Sequence, residues 1–310
     1  MPRVIEPGDG AAITLDELIE ALEHEKWDAR DEDAFAAIGP WLARLGRNRR
    51  FLADLAIAEL EQRFSGQRDS GYGAQVMMLG PPSSRYAVRA AFWPARHDAV
   101  VKAGGTAPFF YDLPHDHNFS FLTVGYAGPG YWSDYYLFDG AQDAQPGDPA
   151  RLVFDRRARL EPGRLMLYRA HRDVHVQLPP DRFSVSLNIL GATPAQAWRT
   201  QYRFDTTRDI VAQAMTTTGS EALVTLATRL GGDAGRALAA DLAIRHPHPR
   251  MRATALTALA GGALPIDALH PLAERALNDA SPLVRHVARH ALAAVAASGA
   301  ISDAPIVSGC

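Results

Sequence analysis

Two short stretches of the chain concentrate side chains able to bind a metal: Pro114-His115-Asp116-His117-Asn118-Phe119-Ser120-Phe121 and His171-Arg172-Asp173-Val174-His175-Val176-Gln177. In an extended strand residues i and i+2 point to one face, so His115 and His117 would project together with Phe119 and Phe121 behind them. An isolated His-x-His is as readily a pair of core or loop imidazoles satisfied by backbone groups. A third imidazole from a distant strand, here His175, would complete a facial set of nitrogen donors on one divalent metal. The only cysteine is Cys310, which excludes an internal disulfide, a zinc knuckle and an iron–sulfur cluster and leaves His, Asp and Glu as ligands. His171 stays open as a fourth ligand, a base beside the metal, or a turn residue. Its His171-Arg172-Asp173 run is also the start of a two-His-one-carboxylate triad, although the next histidine after His175 is His246.

Around this centre we place Tyr168 and Gln177 with His171 as candidate catalytic residues, Gln177 because it shares strand parity with His175. Arg169, which directly precedes the second stretch, and Arg89 are candidates to clamp a substrate carboxylate, since a guanidinium makes two parallel charge-assisted hydrogen bonds. Arg164 and Arg172 are weaker candidates for the same task. Eleven aromatic residues fall between Phe109 and Phe138; strand alternation sends about half of such residues to a core, and Tyr126 and Trp132 are candidates for a pocket mouth. Asp112, Asp116 and Asp134 are the nearby acids, and they form no paired carboxylates of the kind a hydrolase uses.

These residues sit in a segment of strand character. Runs at Ala74 to Leu79, Tyr86 to Trp93, Phe119 to Tyr126, Tyr131 to Phe138, Arg151 to Leu160, Arg164 to Tyr168, Val174 to Leu178, Phe183 to Ile189 and Trp198 to Phe204 are separated by Gly, Pro and Asp turns. Nine strands without intervening helices predict a sandwich or barrel and exclude a parallel sheet, which needs helical crossovers. Before it, Leu15, Leu18, Ile19 and Leu22, then Phe35, Ile38, Trp41, Leu42 and Leu45, then Phe51, Leu55, Ile57 and Leu60 predict two or three amphipathic helices, closed by a Gly/Ser-rich stretch from Ser65 to Gly73. From about Asp205 the chain is Ala- and Leu-rich and helical. There Pro249 to Leu259 and Pro282 to Leu292 coincide in Pro, Arg, two Ala and Leu at an offset of 33 residues, with a degenerate unit at Glu221 to Leu230. The expected division is residues 1–70 as a helical segment on the barrel, 71–205 as the barrel, 206–300 as helical repeats and 301–310 as a flexible tail.

The His-x-His at a strand start, the Gly125 to Gly130 turn, the Pro162-Gly163 turn and a His opening a later strand together resemble the two-motif layout of the cupin superfamily over roughly Tyr86 to Leu190. The resemblance implies an α+β chain built on a double-stranded β-helix barrel. The acidic ligand common in cupins is missing, since Phe121, Leu122 and Thr123 stand where it would be, and this brings the layout nearest to the three-His thiol-dioxygenase branch related to cysteine dioxygenase. That branch's Ser-Leu-His strand is Ser186-Leu187-Asn188 here, Leu190 stands in place of a Tyr, and the Cys–Tyr crosslink of some members cannot form, all of which speaks against free cysteine as substrate. The last segment resembles HEAT-type repeats, in which Pro opens a helix, Arg lies on one face and Ala lets neighbours approach.

The resemblance implies a mononuclear metal, Fe(II) first, with zinc, nickel, manganese and copper as further candidates. Three neutral imidazoles on iron keep positions open for O2 and a chelating substrate, whereas zinc would hold a water. The expected activity is an O2-dependent oxidoreductase acting on an amino-acid-derived or peptide substrate. The alternatives are a metal- or ligand-binding sensor that uses its repeats for protein interaction and, more remotely, a 2-oxoglutarate-dependent oxygenase. Barrels of this kind pair through edge strands, so a homodimer is expected, and the C-terminal helices offer a surface for a protein partner.

Composition is consistent with that reading. With 47% hydrophobic residues the chain can bury a sizeable core, and a net charge of -3 gives no global attraction to nucleic acid or an anionic membrane. No stretch approaches a membrane span and residues 1–15 lack a basic-then-apolar leader, so a cytoplasmic location is expected. Neither a phosphate-binding Walker loop, a dinucleotide Gly fingerprint nor a Gly-x-Ser-x-Gly elbow is present.

Overall fold

The computed structural model describes residues 1–67, 73, 75–139 and 144–302, the stretch 295–302 by its backbone alone. Most of the Gly/Ser-rich stretch after Ser65, Ala74 of the first expected strand, and the tail with Cys310 lie outside the described residues. By its contacts the chain divides into two compact units, one spanning Met1 to Met215 apart from a short insertion and one from Thr216 onward.

The first unit is mixed α/β with antiparallel sheets. Its strands are β1 (Arg3–Ile5), β2 (Val76–Met78), β3 (Tyr86–Trp93), β4 (Phe121–Ala127), β5 (Tyr131–Leu137), β6 (Val153–Leu160), β7 (Leu165–Tyr168), β8 (Asp173–Gln177), β9 (Ser184–Gly191), β10 (Tyr202–Asp205) and β11 (Ile210–Ala214). One sheet has the order β1-β7-β4-β9-β3-β2, a second β6-β5-β8, and β10 pairs with β11. The segment Tyr111 to His117 has no ladder of its own but joins the second sheet by single bridges: Tyr111 to Gln177, and His115 to both His175 and Arg203. From β3 the chain passes to this segment in the second sheet, returns to β4, crosses to the β5-β6 hairpin, and then alternates through β7, β8 and β9. That alternation between two facing sheets is the path of a double-stranded β-helix.

Alternation along the strands divides the six-stranded sheet. Val88, Ala90, Leu122, Val124, Leu165, Leu167, Leu187 and Ile189 face one way, into a core shared with Leu18, Leu22, Phe35, Leu42 and Leu45 of the N-terminal helices. Ala91, Trp93, Phe121, Met166, Tyr168 and Leu190 face the other way and meet Tyr131, Tyr135, Ala158 and Leu160 of the second sheet. The turn from β4 to β5 requires glycine. Gly128 has φ +75, and a Cβ there would lie 2.2 Å from the Phe183 carbonyl oxygen.

Four helices precede the barrel where two or three are expected: α1 (Leu15–His24), α2 (Glu32–Ala37), α3 (Gly39–Arg47) and α4 (Phe51–Glu61); α5 (Ala99–Gly104) follows β3. Thr14 and Glu17 close a reciprocal cap on α1. The Phe35 to Leu45 pattern divides at Ile38 because Pro40, with no N–H and a fixed φ, fits the first turn of α3 and not a helix interior. Two strands lie outside the expected set. Arg3–Ile5 joins the edge of the six-stranded sheet through β7, so the N-terminal segment is not purely helical. Ile210–Ala214 pairs with β10, which corrects the expectation of helix from Asp205; helix begins at Gly219.

The second unit is helical: α6 (Gly219–Leu230), α7 (Gly232–Arg245), α8 (Pro249–Ala258), α9 (Ile266–Ala276) and α10 (Pro282–Ser302). Pro249 and Pro282, the first residues of the sequence repeat, open α8 and α10. The repeated arginines also bond alike, each to carbonyls five and six residues back: Arg252 to His246 and Pro247, Arg285 to Asp279 and Ala280. Ala255 and Ala288 are both fully buried. A buried ion pair, Arg250 with Glu221, ties α8 to α6. No described helix is long and apolar enough to cross a membrane.

Candidate metal centre

The backbone brings the histidines together before their side chains meet. His115 and His175 exchange both backbone hydrogen bonds, at 3.1 and 3.0 Å, and the His171 N–H donates to the His117 carbonyl at 2.9 Å. His115 and His117 therefore do not lie in a regular strand as the sequence suggests, yet their imidazoles still converge. Nε2 of His175 lies 3.1 Å from Nε2 of His117 and 3.2 Å from Nε2 of His115. The three candidate ligand atoms all lie within 4.8 Å of one another, and among the described residues no carboxylate or fourth imidazole joins them.

This donor set fits a divalent transition metal. Bonds of about 2.0–2.1 Å from imidazole nitrogen to a metal place neighbouring donors roughly 3 Å apart, as His175 Nε2 stands from each of the other two. His115 Nδ1 is 2.8 Å from the Leu113 carbonyl; donating its proton there leaves the lone pair on Nε2, directed at the centre. Burial lowers the pKa of His115, against the Leu113 bond that raises it. Burial lowers His117 further, with neighbouring His115, His175 and Arg89 adding to it, and burial and His115 do the same to His175. The imidazoles are thus neutral near pH 7, the form that ligates metal. A metal held by them would have open coordination positions.

His171 is not part of the set. Its Nδ1 lies 3.1 Å from Asp116 Oδ2, and Asp116 also accepts the Tyr202 N–H. Both side chains are buried, so Asp116, between the two ligand histidines in sequence, fixes their loop from behind. Asp173 pairs with Arg169 through two hydrogen bonds of 2.9 and 2.7 Å. The His171-Arg172-Asp173 run therefore does not form a two-His-one-carboxylate triad, because both of its polar ends are engaged elsewhere. Tyr168 is buried behind His175, ring centroids 5.0 Å apart, and its hydroxyl meets that of Tyr135 at 2.8 Å. It backs the imidazoles and does not line the cavity before them.

That cavity, about 280 Å³, has the three histidines on its wall together with Arg89, Trp93, Phe110, Phe119, Phe121, Tyr131, Gln177 and Asn188. Arg89 and Gln177 are the candidates that the structure brings beside the histidines. The others lie elsewhere. Arg169 borders a separate surface cleft. Tyr126 packs in the helix-facing core and donates its hydroxyl to the Asn48 carbonyl. Trp132 points outward, beneath Arg159, because it has the opposite parity to Tyr131 on β5. Asp112 and Asp134 pair with Arg96 and Arg157.

Trp93 and Asn188 reach the cavity without having been singled out as site residues. Parity carried the signal: Arg89, Ala91 and Trp93 alternate on β3, and Ser186 and Asn188 on β9. Phe110 and Gln201 arrive from loops, which carry no such period.

No family model matches the chain, and no curated protein does. Among solved structures, the DMSP lyase DddQ of Ruegeria pomeroyi is similar at 18% identity over 63% of this chain and 78% of that one, TM-score 0.26. Hydroquinone 1,2-dioxygenase PnpCD is similar at 12% identity over 42% and 71%, TM-score 0.26. A prolyl-4-hydroxylase of Pseudomonas putida is similar at 12% identity over 58% and 98%, TM-score 0.28. Likenesses this distant carry no chemistry across to this chain, whose fold rests on its own strand order and whose site rests on its own side chains.

Proposed function

We propose that the chain is a mononuclear metal enzyme, an O2-dependent oxidoreductase that holds Fe(II) on His115, His117 and His175 and acts on an amino-acid-derived or peptide substrate. The observation that carries this reading is the convergence of three imidazole nitrogens on the wall of an otherwise largely apolar cavity. Iron held there would supply the one-electron and O2 chemistry that no protein side chain supplies alone. Around it, Trp93, Phe110, Phe119 and Phe121 exclude water and pack a substrate body. Arg89 and Gln177 add polar groups to the same wall. Burial pushes the Tyr131 phenol well up, so it stays protonated and can donate a hydrogen bond. Open coordination and a cavity favour an enzyme over a saturated structural or sensing site. The helical unit we read as HEAT-like, with the exposed Leu223, Leu226 and Leu230 of α6 offered to a protein partner.

Metal analysis of anaerobically purified protein tests the reading, with wild type beside His117→Ala and His175→Ala. Near-stoichiometric iron in wild type, lost in both variants, is expected, followed by O2 consumption with amino acids or peptides in an oxygen-electrode screen. Wild type that stays metal-free after anaerobic reconstitution with Fe(II) would overturn it.

A further inference from the structure

The inner face of the six-stranded sheet carries a row of three polar residues across adjacent strands. In the strand register Arg89 of β3 stands opposite Asn188 of β9, and Asn188 stands opposite Thr123 of β4. Neighbours in such a row have Cβ atoms only about 4.5–5.5 Å apart. On the same face Ser186 accepts a 2.9 Å hydrogen bond from the Trp93 indole and Ser184 accepts one of 3.1 Å from the Gly130 N–H, so both hydroxyls are engaged.

Asn188 is 3% exposed. Its Nδ2 donates to Thr123 Oγ1 at 2.7 Å, which fixes the amide plane. Its Oδ1 is buried and has no hydrogen-bond partner, and the residue lines the cavity beside the three histidines. A buried acceptor left unsatisfied in the resting protein is costly, and the cost is recovered only when a donor arrives. A Leu of similar size would fill the same space without that cost, so shape alone does not account for Asn.

We infer that Asn188 is the residue by which the cavity selects its substrate, accepting a hydrogen bond from a substrate N–H. The ligand class this defines is an amine or amide whose N–H meets Asn188, with an apolar body that packs on Trp93, Phe110, Phe119 and Phe121. Thr123 is a positioning residue that acts through Asn188. This inference rests on the metal-enzyme reading for its place in a reaction, but Asn188 is not a metal ligand, so binding can be read with and without metal.

The test is calorimetric titration of wild type, Asn188→Leu and Thr123→Val, each metal-free and Fe(II)-loaded under anaerobic conditions. The probes are N-acetyl-L-phenylalanine, L-phenylalanine, and 3-phenylpropionate, which keeps the carboxylate and ring but lacks the nitrogen. Wild type should bind the better nitrogen-bearing probe at least about tenfold more tightly than 3-phenylpropionate, the size expected from leaving one buried acceptor unpaired. In Asn188→Leu the preference should collapse to within about threefold through loss of the nitrogen-bearing probe alone, and in Thr123→Val it should shrink without vanishing. The melting temperature of ligand-free Asn188→Leu should hold or rise, where a purely structural Asn would make it fall. A preference unchanged in Asn188→Leu, equal binding of all probes by wild type, or no binding at all would overturn the inference. Failure to load iron, with the preference intact in metal-free protein, would overturn the metal-enzyme reading and leave the role of Asn188 standing.

Discussion

The two faces of the six-stranded sheet are built from alternate residues of the same strands and obey different rules. On β9, Val185, Leu187 and Ile189 enter the helix-facing core, while Ser184, Ser186 and Asn188 turn into the barrel. The helix side is filled with aliphatic side chains, and its partners are Leu18, Leu22, Leu42 and Leu45, all fully buried. The barrel side holds a cavity, a cation, an unsatisfied amide oxygen, two buried imidazoles and a third that is half-buried. Stability is thus concentrated on one side and chemistry on the other, with only a strand's thickness between them. A change of one position along a strand moves a substitution from one set of consequences to the other.

The largest expected effect that sharpens this contrast comes from the helix side. Leu122 is fully buried against the N-terminal helices. Leu122→Ala should cost about 2–5 kcal/mol, as Leu-to-Ala changes in packed cores do, measured by urea unfolding of the metal-free protein. The folded fraction should retain wild-type metal stoichiometry, because the lost methyl groups face away from the histidines. Loss of metal from protein that is still folded would show that the two faces are mechanically coupled and break the comparison.

A second effect belongs to the barrel side and depends on pH. All three histidines have folded-state pKa values below the usual imidazole value, first by burial and for His117 and His175 also by neighbouring charge. The unfolded chain, with histidines near about 6.5, takes up protons that the folded chain refuses. Stability of the metal-free protein should therefore be level above that value and fall as pH drops below it, by linkage. His117→Leu should flatten the fall measured by thermal unfolding between pH 7 and 5.5. An equal fall in that variant would mean that another group controls acid stability.

Much of the barrel was legible in the sequence because its signals are local. The alternation of Tyr86 to Trp93 and Tyr131 to Phe138 marks β3 and β5, and the spacing of His115, His117 and His175 marks the centre. What was not legible depends on tertiary pairing. Arg3–Ile5 is only three residues long and is a strand because β7 lies beside it. His115 lies in a segment held by single bridges, so its face was inferred from strand logic that the backbone does not follow there. Arg169 looked like a substrate clamp from its place in the chain, but Asp173, four residues on, takes the guanidinium. The Pro and Arg positions of the helical repeat were visible because each acts within its own helix and preceding loop, whereas the Glu221 to Arg250 pair joins helices far apart in sequence.

The smallest effect tests parity itself, at two neighbours on β5. Tyr131 is 4% exposed and lines the cavity, its phenol beside Gln177; Trp132 is 41% exposed beneath the Arg159 guanidinium. Trp132→Ala removes only an exposed cation–π contact, of order 0.5–1 kcal/mol, and should leave metal content and probe affinities unchanged in the calorimetric titration. Tyr131→Phe deletes a single oxygen and should hardly alter stability, yet it removes a donor from the cavity wall and should weaken binding of carboxylate probes. If the larger deletion at Trp132 changed ligand binding and the smaller one at Tyr131 did not, the assignment of β5's faces would be reversed, and with it the claim that Gln177, opposite Ser133 on the same face, points to the metal centre.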